Sequence, residues 1–353
     1  MKNYFTNKKV LITGHTGFKG SWLTFWLLNL GARIVGVSDK IRTKPSNFEA
    51  LKLAKKINHN SVNIKNFSKF KKILFKQKPD FLFHLAAEAI VKNSYNNPKN
   101  TWETNALGTI NVLEALRSFN RNIVVVIITS DKVYDNIETK IGYKETDRLG
   151  GFDPYSASKA SADLAAQSYI NSFLKQKKNI KISIARAGNV IGGGDWSTGR
   201  LIPDCIKSWS KKKKVIIRNP ISTRPWQHVF DVLRGYMLLA IKLKKNSVNN
   251  GEIFNFGPKI KKNSKVIDVI KQASEIWEKS SWKIIRKKIF FESSLLHLSS
   301  LKAKKKLKWK CLLNLKESIS FTIEWYKNYY SGKNMIDYST KQLKKYQKFS
   351  KFK

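Results

Sequence analysis

At 353 residues, with 42% hydrophobic content, the chain is long enough for one large α/β unit or two interleaved domains around a real core. Its formal net charge of +44 invites a nucleic-acid reading, but 57 of the 68 basic residues are Lys, spread almost evenly, and no nucleic-acid motif accompanies them. That even spread without a motif argues against a specific nucleic-acid ligand, while the excess Lys favours anionic, phosphorylated substrates.

The first strand is expected at 9–13, which leaves no room for a signal peptide before it. Directly after it runs T-G-H-T-G-F-K-G, with Gly14, Gly17 and Gly20 ahead of an apolar helix expected at 21–30. Glycines at this spacing suit a tight turn, close backbone approach to a pyrophosphate, and packing of helix on strand. The helix N-terminus then offers free N–H groups to phosphate. A second strand at 33–37 ends near Asp39, 25 residues after Gly14, where a carboxylate accepts from the adenosine ribose hydroxyls. That favours NAD, whereas the neighbouring Lys40 and Arg42 would suit NADP.

Further on, helices are expected at 67–77, 101–118 and 156–174, and strands at 81–84, 123–128 and 180–185. Alternating strands and amphipathic helices predict an α/β fold with a Rossmann-type, doubly wound parallel sheet. After Gly188 the texture shifts to glycine turns and tryptophans, then a helix at 229–242 and a strand at 252–256. We expect a dinucleotide-binding domain over 1–187, with 229–258 returning to it. A smaller, interleaved C-terminal domain for the substrate would comprise 188–228 and 259–330, and the basic tail 331–353 is expected to be loosely held. Cys205 and Cys311 have no metal-type or redox-type spacing, no His/Cys/Asp cluster suggests a metal, and no apolar run approaches the ~18 residues of a spanning helix. The chain reads as a cytoplasmic protein with no membrane insertion.

Three motifs carry a resemblance: T-G-x-x-G-F-x-G, H-L-A-A at 84–87, and Y-x-x-x-K at Tyr155 and Lys159. Together they resemble the extended short-chain dehydrogenase/reductases, the nucleotide-sugar epimerases and dehydratases. H-T-G-F-K-G-S-W-L (15–23), T-S-D-K-V-Y-D-N (129–136), D-P-Y-S-A-S-K (153–159), A-G-N-V-I-G-G-G-D-W (187–196), R-L-I-P-D (200–204) and R-N-P-x-S-T-R-P-W-Q-H-V (218–229) narrow it to the CDP-glucose 4,6-dehydratase subgroup.

The resemblance implies an NAD-dependent lyase. Hydride leaves C4 of the glucose unit, water is lost across C5–C6, and the hydride returns to C6, giving a 4-keto-6-deoxy sugar. Tyr155 is implied as base for the C4 hydroxyl, with Lys159 one helical turn later lowering the phenol's pKa and holding the nicotinamide ribose. Related dehydratases show T-D-E where this chain has Ser130, Asp131 and Lys132. By that likeness Asp131 protonates the departing 6-hydroxyl and Ser130 orients the 4-hydroxyl. Lys132 removes or relays the C5 proton, or polarises the C4 ketone. Phe18 and Ala86 join Gly14, Gly17, Gly20 and Asp39 on the cofactor. Asn63 stands where the family commonly has an acid for the adenine amino group, and its amide oxygen can make the same bond.

Asn189 and Arg224 are candidates for the nucleotide diphosphate, Arg224 because a guanidinium fork matches phosphate. Asp195, Trp196, Arg200 and Trp226 are candidates for the sugar and cytosine pocket. Glu88 departs from the glutamine expected after H-L-A-A. Family members commonly dimerise through the helix bearing Y-x-x-x-K, which implies a homodimer or dimer of dimers. The alternatives are an epimerase or dehydratase of another nucleotide sugar, and a non-catalytic nucleotide- or nucleic-acid-binding Rossmann protein.

Overall fold

The structure, a computed structural model, describes residues 1–139, 141–259, 264–285 and 295–352. Parts of the segment 259–330 expected in the substrate domain thus lie outside the described residues. The strands in chain order are β1 Lys9–Thr13, β2 Arg33–Ser38, β3 Asn58–Ser61, β4 Phe81–His84, β5 Ile123–Ile128, β6 Ile180–Ala187, β7 Val190–Ile191, β8 Val215–Ile217, β9 Gln227–His228, β10 Ile253–Phe256 and β11 Trp282–Ile284. Seven of them form one parallel sheet in the order β10-β6-β5-β4-β1-β2-β3. The interior strands β4 and β5 are buried along their whole length, as expected where helices cover both faces.

Two cores sit on the two faces of this sheet. One gathers Leu11, Leu82, Val125 and Ile127 against the helices Phe67–Gln77 and Gly108–Arg117. The other joins Val10, Ile12, Phe83 and Val126 to the helix Phe18–Asn29 and to the C-terminal third of the chain. Trp22 and Trp26 of that helix are buried, each in an edge-on contact with Phe230. The helix is sandwiched between sheet and C-terminal helices, so it carries apolar residues nearly all round rather than on one stripe.

β10 pairs with β6 in the main sheet, while β7–β9 and β8–β11 form two small parallel pairs beyond it. The expected helix at 101–118 is broken into Pro98–Trp102, a π-turn Glu103–Leu107, and Gly108–Arg117. β3, not among the strands anticipated from apolar runs, is an edge strand of Asn58, His59, Asn60 and Ser61.

The tail departs most from expectation. Residues after Ser331 are not loosely held: Met335–Phe352 is a helix docked on the core. Met335, Ser339, Gln342, Leu343 and Tyr346 are buried along one face of it. Trp325 Nε1 donates to Ser339 Oγ (2.9 Å) and Tyr346 donates to Asp231 Oδ1 (2.8 Å).

Candidate functional site

In an open parallel sheet the carboxyl ends of the strands form the binding edge. The loops after β1, β2, β4, β5 and β6 gather the candidate residues there. Gly14 adopts φ +73°, and a Cβ on it would lie 2.8 Å from the Ala86 backbone; one on Gly20 would lie 2.1 Å from the Gly14 carbonyl oxygen. Only glycine permits this turn with strand and helix so close, which leaves the backbone open to a diphosphate. The cradle fits a dinucleotide. Ala86 N–H is held by Thr13 Oγ1 (3.2 Å), and Phe18 packs towards Gly192 beside Gly17.

Asp39 follows β2 as expected. Its carboxylate accepts from Arg42 (3.0 Å) and lies 3.5 Å from the Asn63 amide nitrogen. The Asn63 amide oxygen caps the Lys65 N–H (2.9 Å), so the atom expected to face adenine is already engaged. Arg42 also contacts Glu88 Oε1 at 2.6 Å, which gives the unexpected Glu88 a charge partner.

β5 ends in Thr129, and Asp131–Val133 forms one short 3₁₀ turn capped by Ser130, whose Oγ accepts from Lys132 N–H (3.2 Å). Ser130 and Asp131 are buried. Tyr155 donates to Ser130 Oγ (3.4 Å), and Ser130 donates to Asp131 Oδ1 (3.0 Å). The other carboxylate oxygen accepts from Asn189 Nδ2 (2.8 Å). A continuous chain of phenol, hydroxyl and carboxyl results. Asn189, with φ +52°, is aimed at Asp131 rather than at an open phosphate position.

Tyr155 and Lys159 lie on the helix Pro154–Tyr169, begun by Asp153, whose carboxylate accepts from Ser156 N–H (3.0 Å). The same helix is anchored to the sheet by Asp163, which meets Arg186 of β6 in a buried, two-pronged ion pair (2.7 and 2.9 Å). Burial raises the Tyr155 pKa despite the opposing Ser130 hydrogen bond, so the lowering expected from Lys159 is not the dominant effect here. The Lys159 amine instead donates to the Ile128 carbonyl (3.4 Å), and burial lowers its pKa to about 8. Lys132 is half-buried, its amine 6.0 Å from the centre of the Tyr155 ring.

Arg200 pairs with Asp195 (2.7 Å), and its charge opposes the rise at Tyr155. Trp196 is buried among Trp325, Tyr326 and Tyr329, so it supports the Asp195 turn from behind rather than lining open space. Trp226 is half-buried against the core, and Arg224 donates to the Thr223 carbonyl (2.8 Å). Burial lowers the pKa of both His84 and His228 to about 3, keeping them neutral and structural.

Sequence reasoning missed Lys19 and Tyr236. The Lys19 amine lies 5.9 Å from the centre of the Tyr236 ring, deep in the fold although the residue as a whole is half-buried. Burial, helped by the Lys159 and Arg200 charges and opposed by Asp131, lowers its pKa to about 7. The buried Tyr236 hydroxyl has no hydrogen-bond partner among the described residues and feels both Asp131 and Tyr155. Lys19 lies within H-T-G-F-K-G, where one lysine among 57 carries no distinguishing signal.

The sequence profile of the family described as GDP-mannose 4,6-dehydratase matches residues 11–322. The chain belongs to this family. A curated family relative, the CDP-glucose 4,6-dehydratase of Salmonella typhimurium, is 38% identical, and the match covers 98% of each chain. An epimerase structure from Methanothermobacter thermautotrophicus superposes with a TM-score of 0.80 at 24% identity, over 93% of this chain and 95% of that one. A dTDP-glucose 4,6-dehydratase from Bacillus anthracis, solved with NAD, gives 0.75 at 21% identity, over 91% and 97%. At these identities the solved structures speak for the shared fold.

Proposed function

We propose that this protein is a nucleotide-sugar 4,6-dehydratase that converts CDP-glucose to CDP-4-dehydro-6-deoxyglucose with NAD. The observation that carries the reading is the hydrogen-bonded series Tyr155, Ser130, Asp131. A dehydratase needs a base at O4 and an acid at O6 in one site, whereas an epimerase has no use for the second. The near full-length likeness to a CDP-glucose 4,6-dehydratase supports the substrate.

NAD, when bound, supplies the two-electron oxidation at C4 and the matching reduction at C6. Gly14, Gly17, Phe18, Gly20, Asp39, Ala86 and Lys159 would hold it, and Asn63 would accept from adenine through the lone pair of its amide oxygen that Lys65 N–H leaves open. Tyr155 takes the proton of the C4 hydroxyl, and Asp131 gives one to the departing 6-hydroxyl. Each turnover leaves Tyr155 one proton richer and Asp131 one poorer, and Ser130 lies between them to restore both. Lys132 is assigned to the C5 proton, removed to form the enolate and returned when C6 is reduced. Asn189 positions the Asp131 carboxylate, and Asp195 positions Arg200 beside the sugar. Arg224 and Trp226 are assigned to the nucleotide.

We further read 188–228 and 259–330 as the substrate side, and the protein as a homodimer joined along Pro154–Tyr169. Leu164 there and Leu107 on the adjoining π-turn are 53% and 54% exposed, which favours a partner copy. Two free thiols, Cys205 and Cys311, suit a reducing cytoplasm.

The test is incubation with CDP-glucose and NAD, read by the alkali-induced absorbance of a 4-keto sugar. Product from CDP-glucose is expected. Turnover of a different nucleotide sugar, with none of CDP-glucose, would overturn the substrate assignment.

A further inference from the structure

In the sheet order, β2 and β4 flank β1, and β1 runs straight into the glycine loop at Gly14. A dinucleotide on such a sheet lays its adenosine by the end of β2 and its diphosphate over the glycine loop, with the nicotinamide towards β4 and β5. Arg42 belongs to the loop after β2 and Glu88 to the loop after β4. Their contact at 2.6 Å therefore joins the two loops whose strands flank β1 on either side.

The two ends of this bridge differ in firmness. Glu88 is fixed: its N–H donates to Asn105 Oδ1 (2.8 Å), its carbonyl accepts from Asn105 Nδ2 (3.1 Å), and its side chain is only 10% exposed. Asn105 Nδ2 also donates to Ser158 Oγ (2.9 Å), next to Lys159, so the anchor is tied to the catalytic helix. Arg42 is 41% exposed on a surface loop and is held at its other side by Asp39 (3.0 Å). One guanidinium thus joins the carboxylate assigned to the adenosine ribose and a carboxylate on the nicotinamide side. Its fork geometry sets one nitrogen on Asp39 and another 2.6 Å from Glu88 Oε1, a charge contact without a hydrogen bond. The two acids outweigh its single charge, so it acts as a bridge rather than as an anion site.

We propose that Arg42 and Glu88 form a clasp across the dinucleotide groove, in which Glu88 anchors Arg42 and the bridge slows release of NAD. This rests on the NAD reading above. The acid at position 88, out of place against the expected glutamine, supplies the charge that fixes Arg42. The consequence is a cofactor that stays bound between turnovers. That suits a reaction in which the cofactor ends each cycle in the form in which it began.

The test is a dissociation rate, read as loss of NADH fluorescence when the full-length protein loaded with NADH is chased with excess NAD. Arg42→Ala and Glu88→Gln are each expected to speed release about tenfold, and the double variant by the same factor, because either change alone opens the clasp. Arg42→Lys, which keeps the charge and loses the fork, is expected to fall between. Release at the parental rate in either single variant would overturn the clasp, as would effects that multiply in the double variant. Faster association with unchanged dissociation would make the pair a barrier to entry, which also overturns it. Failure of the parent to bind NAD or NADH by calorimetry would instead overturn the cofactor reading itself.

Discussion

Gly188 sits where the Asp131 carboxylate leaves no room for a side chain. A Cβ built on it would lie 1.9 Å from Asp131 Cγ and 2.0 Å from each carboxylate oxygen. Ordinary contact begins near 3.4 Å, so Gly188→Ala must drive the carboxylate back by about 1.5 Å. That displacement breaks the hydrogen bonds from Asn189 (2.8 Å) and Ser130 (3.0 Å) that aim it. Misplacing a reacting group by about 1 Å costs on the order of 10²-fold, and a general acid contributes about 10²–10⁴-fold in all. Loss of water is therefore expected to slow by about 10²–10⁴, roughly 3–5 kcal/mol of barrier. Binding of cofactor and oxidation at C4, which depend on Tyr155 and Lys159, are expected to change little. In a single turnover with CDP-glucose, reduced cofactor should accumulate in the variant while the 4-keto-6-deoxy product lags. Product formation within fivefold of the parent, or equal slowing of C4 oxidation, would refute the placement of Asp131 as the dehydration acid. A thermal melt close to the parent's separates a displaced side chain from a damaged fold.

Lys19→Met tests the buried amine. The folded state holds Lys19 near 7 against 10.5 unfolded, so the unfolded chain binds more protons between those values and stability rises with pH there. The variant is expected to be more stable than the parent at pH 6, by about 2–5 kcal/mol, with the difference shrinking towards pH 10. Urea unfolding at both pH values checks this, and a pH-independent difference contradicts it. Tyr346→Phe removes the hydroxyl that donates to Asp231 and accepts from Arg234 Nε (3.2 Å). It is expected to cost about 1–3 kcal/mol in the same assay, and a neutral result would mean that the C-terminal helix contributes nothing through this contact. Lys132→Met should block exchange of the C5 proton with solvent while C4 oxidation continues; unchanged exchange would leave Lys132 with a structural role only.

The sheet was legible where its strands are apolar runs. β1, β4 and β5 appear at their expected bounds, because a strand covered on both faces has no polar alternation to blur it. β3 was hidden because an edge strand can be polar throughout, and Asn58, His59, Asn60 and Ser61 carry no period-2 signal. The tail was misread from composition. Its lysines dominate the average, yet Met335, Ser339, Gln342, Leu343 and Tyr346 recur at helical spacing and are the residues that dock. At the site, the family resemblance singled out Ser130, Asp131, Tyr155 and Lys159, and the strand end and one helical turn bring the first three into one hydrogen-bonded series. The roles of Asn189 towards Asp131, of Arg42 towards Glu88, and of Lys19 beneath Tyr236 depend on contacts between distant segments, which spacing does not encode.

The most direct test of the account uses CDP-glucose carrying deuterium at C4. Oxidation at C4 and reduction at C6 within one closed site predict a 4-keto-6-deoxy product with that deuterium at C6. Deuterium retained at C4 in a sugar with inverted C4 configuration and an intact 6-hydroxyl would identify an epimerase and contradict the account.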